Sequence, residues 1–185
     1  MRRSFLLGCA LLLALARPAL AADLEAGKAA LAKGQYEAAL KEFLPLAMGN
    51  TAEAAFQMGR ILENGWGQPA SDSAAWGWYK RAADLGHLDA QHAVAQMFQE
   101  GRGVPRSTRL AHKYWEMAAK LGSVKAKART GAMAVAGLGR KRNQALGMKL
   151  LQEAAAAGDP EAVAVLDGLA ERGLVAAPAA GDTDP

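Results

Sequence analysis

The sequence of 185 residues is long enough for one ordinary domain or a short repeat array with a buried core, and too short for most multidomain enzymes. Alanine supplies 44 residues whereas Val, Ile and Thr together supply 12, so helix is favoured throughout, strands have little raw material, and an all-α fold is expected. Charged residues at 22% and apolar ones at 51% exclude wholesale disorder and, beyond about the first twenty residues, a membrane-spanning run.

Residues 1–21 read as a secretory signal. Arg2 and Arg3 precede the apolar stretch from Phe5 to Ala16, and Ala19-Leu20-Ala21 offers a small-residue cleavage site. Arg17 and Pro18 break that stretch, unlike a membrane anchor. It also continues past Cys9, where a lipid-bearing cysteine would begin a mature lipoprotein. Cleavage between Ala21 and Ala22 leaves 19 basic and 18 acidic side chains, a net charge of +1 in place of +4. The expected mature chain is periplasmic or secreted. Having no cysteine, it has no disulfide, thiolate metal site or cysteine nucleophile, and must be held by its apolar core.

The sequence matches itself at an offset of 36. Ala54, Ala90, Ala126 and Ala162 fall in register, as do Gly65, Gly101, Gly137 and Gly173, and Gly86, Gly122 and Gly158. The Ala pairs 82/83, 118/119 and 154/155 recur with the bulky pairs Trp78-Tyr79, Tyr114-Trp115 and Leu150-Leu151.

In chain order, residues 22–51 form a first hairpin with a tight turn at Lys33-Gly34-Gln35-Tyr36. Residues 52–87, 88–123 and 124–159 are three repeat units, each with room for two helices. The first helices carry Ala54, Met58 and Leu62, then Ala90, Val94 and Phe98. In the middle unit's second helix, Leu110, Tyr114, Ala118 and Leu121 recur at helical intervals and should be covered. Gly65-Trp66-Gly67 and Gly101-Arg102-Gly103 end the first helices, because glycine accepts a left-handed backbone without a Cβ clash; Gly86, Gly122 and Gly158 end the second. Gly59, Ala95 and Gly131 share a slot where a small side chain lets the paired helix approach to about 8 Å. In the third unit Thr130, Ala134 and Gly147 stand where larger or more typical residues are expected, so its core should be thinner. Residues 160–173 read as a capping helix with Asp167 facing solvent, and 174–185 as a disordered tail.

The series Ala54, Met58-Gly59, Leu62, Gly65, Gly67, Ala75, Trp78-Tyr79, Ala82-Ala83, Gly86 resembles a Sel-one-like repeat, the longer-looped relative of the tetratricopeptide repeat. Ala90 to Gly122 resembles it nearly as well and Ala126 to Gly158 less so, while the 22–51 hairpin is closer to an ordinary tetratricopeptide unit. The resemblance implies an α/α solenoid, a right-handed superhelix of stacked helix-turn-helix repeats. It also implies a non-catalytic scaffold or adaptor of the bacterial envelope. A few cysteine-rich relatives are linked to β-lactam binding or hydrolysis, but the expected mature chain lacks cysteine altogether.

Little here suggests chemistry. His87, His92 and His112 are not paired at metal-ligand spacing, so neither a metal nor another cofactor is expected. Ser71, Ser73, Ser107 and Ser123 sit in loops or at helix starts, where capping accounts for them. The glycine pairs follow no strand and so form no phosphate cradle of the dinucleotide type. Trp78, Tyr79, Tyr114 and Trp115 recur with the repeat and belong to the core, whereas Trp66 and Trp76 do not recur and are candidate contact residues.

Two surfaces follow. The exposed flanks of the first helices, Phe56, Arg60 and Glu63, then His92, Gln96 and Gln99, then Lys125, Arg129 and Ala132, should line a groove of mixed polarity suited to a peptide or helix of another protein. Between residues 102 and 142 there are 11 basic residues against a single acid, Glu116. Arg102, Arg106, Arg140, Lys141 and Arg142 occupy corresponding loops of successive units, about 10 Å apart in packed helical repeats and close to the Debye length of about 8 Å. Their fields add, giving a basic edge for an acidic protein, an anionic envelope polymer or lipid headgroups; nucleic acid is not expected after export.

Overall fold

The computed structural model describes residues 23–173; the expected signal peptide and tail lie outside the described residues. Among the described residues there are nine helices and no strand. The first, α1, spans 23–32. It is followed by α2 (Tyr36–Met48), α3 (Ala52–Asn64), α4 (Asp72–Asp84), α5 (Leu88–Glu100), α6 (Thr108–Lys120), α7 (Val124–Ala136), α8 (Gln144–Ala156) and α9 (Pro160–Glu171). The chain divides into two compact units, one ending at Ala90 and the other beginning at Gln91. In the first, α3 packs on both α2 and α4; in the second, α7 packs on α6, α8 and α9.

Three local devices recur at the 36-residue interval and set the helix ends. The second helices are capped by Ser71, Ser107 and Asn143, whose side chains accept from the backbone N–H of Ala74 (3.3 Å), Leu110 (3.3 Å) and Leu146 (3.0 Å). Each cap satisfies a donor that the first turn leaves without an intrahelical partner. The same caps close their loops backwards: Ser71 N–H donates to Leu62 O (2.9 Å), Ser107 to Phe98 O (2.8 Å) and Asn143 to Ala134 O (2.9 Å). At the far ends, the N–H groups of Gly86 and His87 donate to Ala83 O and Ala82 O. Gly122 with Ser123, and Gly158 with Asp159, repeat this paired closure. That geometry needs a left-handed residue, and φ is +88°, +92° and +86° at the three glycines.

His87 continues the series of first-helix caps. Its Nδ1 accepts from Ala90 N–H at 3.3 Å, where Ser123 and Asp159 use oxygens toward Ala126 and Ala162.

The core of the first unit is built on Phe43, Ile61 and Tyr79, and that of the second on Val94, Met97, Trp115 and Leu151, all nearly or fully buried. Phe98 and Tyr114 stack at 5.9 Å between α5 and α6. Two expectations are corrected. Trp78 is only half-buried, since at its pair it is Tyr79 that enters the core. Leu121 is 53% exposed, because it is the C-cap of α6 and lies beyond the last turn that packing covers.

The third repeat accommodates its smaller side chains in part by a closer approach of its two helices. Gly131 and Gly147 face one another: a Cβ on Gly147 would lie 2.6 Å from Val135 Cγ2 and 2.7 Å from Gly131 O. The helices α7 and α8 therefore approach until backbone meets backbone, which takes up part of the missing side-chain volume. In α9, Ala162 and Leu166 are buried while Asp167 is exposed.

Candidate partner-binding cleft

The first unit brings Trp66 and Arg60 together with residues of the N-terminal hairpin. Gly65 and Gly67 flank Trp66 with φ of +67° and +74°. A Cβ on Gly67 would lie 2.8 Å from Tyr36 Cβ, so only glycine lets the loop settle onto the first turn of α2. The result is a stack of Tyr36 on Trp66, with centroids 5.8 Å apart and planes 12° from parallel. Arg60 reaches over the Trp66 ring at 5.4 Å and also donates through Nη1 to Gln57 Oε1 (3.1 Å). Gln57 in turn donates through Nε2 to Glu53 Oε1 (2.7 Å). A cleft of about 420 Å³ opens beside this assembly, lined by Lys28, Leu31, Ala32, Tyr36, Gln57, Arg60 and Trp66.

The chain of polar contacts continues behind the cleft. His87 Nε2 lies 3.0 Å from Glu53 Oε2. With Nδ1 accepting the Ala90 N–H, the tautomer that fits this contact carries its proton on Nε2, directed at Glu53. Burial pushes the Glu53 carboxyl up, but hydrogen bonds from Gln57 and His87, with the charges of His87 and Lys28, hold it below its ordinary 4.5. The cleft thus has an aromatic platform, two cationic side chains and an anion locked behind them.

The remaining residues singled out in the sequence have varied settings. Phe56 stacks on His87 at 4.4 Å and tilts onto Tyr79 at 5.6 Å, leaving one part of the ring accessible. Glu63 is turned inward, accepting the Tyr79 hydroxyl at 2.6 Å. Trp76 is half-buried in α4.

In the second unit His92 Nε2 lies 2.9 Å from Ser123 Oγ, with its ring 5.3 Å from that of Trp115. Arg129 pairs with Glu161 at 3.0 Å. Gln96, Gln99 and Ala132 are half-buried, and Lys125 is exposed. Of the basic loop residues, Arg102 pairs with Glu100 at 3.3 Å, Arg140 is half-buried, and Arg106, Lys141 and Arg142 are exposed. The second of these loops packs on the start of α6: at Gly139 there is no room for a Cβ beside the Thr108 carbonyl.

Lys28, Tyr36 and Gln57 are contact residues that the sequence does not single out. Tyr36 is visible there only as part of a tight turn; the glycine opposite it, Gly67, is the available signal. Among the described residues no group of three or more His, Cys, Asp or Glu side chains is placed to hold a metal ion, and no helix is long and apolar enough to cross a membrane.

Three consecutive helix pairs with the same caps, loop closures and glycine turns define a helical repeat protein. The family model for the Sel1 repeat matches residues 52–87, 88–123 and 124–159, and the chain belongs to that family. Its fold is all-α, of the α/α solenoid class. Sel1 repeats typically serve as protein–protein interaction scaffolds and are generally non-catalytic.

Among solved structures, the chain is similar to a Sel1 repeat protein from Oxalobacter formigenes (24% identity, TM-score 0.72), over 81% of this chain and 62% of that one. It is also similar to c5321, a protective antigen of uropathogenic Escherichia coli strains displaying an SLR fold (22%, 0.70), over 76% and 30%. A third likeness is to Helicobacter pylori cysteine rich protein B (17%, 0.52), over 70% and 93%. At these identities the likeness is one of fold, and the chain spans less than two thirds of the first two proteins. No curated protein matches the chain.

Proposed function

We propose that this chain is an exported, non-catalytic scaffold or regulatory adaptor of the bacterial envelope, and that it grips a segment of another protein in the cleft beside Trp66. The observation that carries this reading is the cleft itself. A Tyr–Trp stack with an arginine over the indole gives a flat apolar platform at low entropic cost, and Arg60 with Lys28 gives it electrostatic polarity. Such a surface suits an apolar or aromatic side chain of an acidic segment. Export rests on the N-terminal sequence pattern.

The test is a crosslinked pull-down from cells with the full chain and its Trp66→Ala variant, alongside osmotic-shock fractionation. The reading requires an envelope protein recovered by the full chain and lost from the variant. Recovery of nothing above background, or equal recovery by both, counts against it.

A second reading has the basic loops holding an anionic envelope polymer or lipid headgroups, favoured by the exposure of Arg106, Lys141 and Arg142. Reversing Arg140, Lys141 and Arg142 to Glu then abolishes sedimentation with envelope fractions; unchanged retention rejects it.

A further inference from the structure

The third repeat differs from the other two at several positions that meet in one place. In the register of 36, Thr130 stands where the earlier repeats have Met58 and Val94, and Leu150 where they have Trp78 and Tyr114. Arg140 stands where they have Gln68 and Val104, and Lys127 where they have Ala55 and Gln91. All four line a single cavity of about 200 Å³ in the second unit, whose other walls include Ala119, Leu146 and the Glu116–Lys120 pair of α6. In the second repeat Tyr114, the counterpart of Leu150, stacks on Phe98; in the third, Ala134 replaces that phenylalanine and Leu150 the tyrosine.

Two of the polar groups in this lining are unspent. Lys120 and Lys127 are paired with Glu116 and Glu153, at 3.6 and 3.1 Å. Arg140 has no ion-pair or hydrogen-bond partner among the described residues. The Thr130 hydroxyl, in a residue only 2% exposed, likewise has none. A buried hydroxyl without a partner is costly and needs an explanation. The charge of Arg140 is felt nearby: burial lowers the His112 pKa below 6.5, and Arg140 lowers it further. The Thr130 hydroxyl lies beneath the cavity surface, so the group presented to a ligand is the Arg140 guanidinium, and an apolar chamber with one free guanidinium describes a receptor for a small amphipathic anion.

We propose that this cavity binds a carboxylate carrying a compact apolar chain, with the carboxylate on Arg140 and the chain against Ala119, Leu146 and Leu150. A guanidinium presents parallel donors that match a carboxylate, and the volume accommodates one side-chain-sized apolar group. The chemistry is common to a free aliphatic acid and to the C-terminal residue of a polypeptide. The site is independent of the Trp66 cleft, and either can fail without the other.

The test is calorimetric titration of the full chain with hexanoate and 1-hexanol, and with acetyl-Ala-Leu as free acid and as amide. Saturable hexanoate binding at least tenfold tighter than hexanol is expected, with that preference lost in Arg140→Gln. Ala119→Phe, which fills the chamber, should abolish binding, with far-UV circular dichroism confirming that each variant is folded. Tighter binding of the acetyl-Ala-Leu acid than of hexanoate, with the amide silent, assigns the site to a polypeptide C-terminus; the reverse order assigns it to a free acid. Equal affinity for hexanoate and hexanol, or undiminished hexanoate binding by Arg140→Gln or Ala119→Phe, overturns the proposal.

Discussion

Replacing Gly147 by alanine should destabilise the protein, although the same change elsewhere in a helix should stabilise it. In a helix interior, alanine is better than glycine by about 0.8–1.0 kcal/mol. At Gly147 the new methyl would sit 2.6 Å from Val135 Cγ2, 2.7 Å from Gly131 O and 2.8 Å from Val135 N. Two of those three neighbours are backbone of the facing helix, so no rotamer change relieves them and α7 and α8 must move apart. Overpacking of a tight interface costs about 1–3 kcal/mol, and separating two helices lies at the upper end of that range. After subtraction of the propensity gain, a net loss of about 1–2 kcal/mol remains. Gly77, in the interior of α4, has nothing within 4 Å of where an alanine methyl would sit, so Gly77→Ala should gain about 0.5–1 kcal/mol. Urea titrations followed by far-UV circular dichroism, on both variants and the parent chain, give the two midpoints. Movement of both midpoints in the same direction would refute close approach of α7 and α8 as the basis of the third repeat.

Other consequences are as direct. The Arg81 guanidinium donates to Ala47 O (2.9 Å), Met48 O (2.8 Å) and Asn50 Oδ1 (2.9 Å), so Arg81→Ala should cost about 1–2 kcal/mol, with Arg81→Lys recovering only part of it in the same titration. Acid should weaken the fold in two stages. Below 6.5 the unfolded chain takes up a proton on His112 that the folded chain resists, so stability falls as pH drops from there toward the lowered folded value. The Glu53 contribution is complete above 4.5 and is lost as pH falls through the depressed folded value. Thermal melts from pH 8 to 3 should show both, with His112→Gln flattening only the upper stage. Trp66→Ala, in contrast, should abolish partner capture while shifting the urea midpoint by no more than about 1 kcal/mol equivalent, because its ring is only partly buried.

The fold was legible in the sequence because its determinants are local and repeat: glycines with positive φ, capping serines and paired alanines mark helix ends and contacts within each unit. Residues whose role depends on partners distant in sequence were less legible. Leu121 has helical spacing but falls past the end of its helix. Glu63 has the spacing of an exposed flank yet is held by Tyr79, sixteen residues away. In the cleft, Arg60 and Trp66 were identifiable one by one, as a flank residue and a non-recurring aromatic. Their union with Tyr36 depends on the loop settling at Gly67, which no periodicity encodes. The third repeat showed only its departures from the pattern, and that Thr130, Arg140 and Leu150 converge on one cavity emerges from packing alone.

The most direct measurement of the central claim is photocrosslinking in cells with benzoylphenylalanine at Ala32, an exposed residue of the cleft lining that leaves Trp66 in place, and separately at Leu121, an exposed position in the second unit. The account predicts a discrete protein adduct from position 32 and none from 121. Adducts from neither position, or from 121 alone, would contradict it.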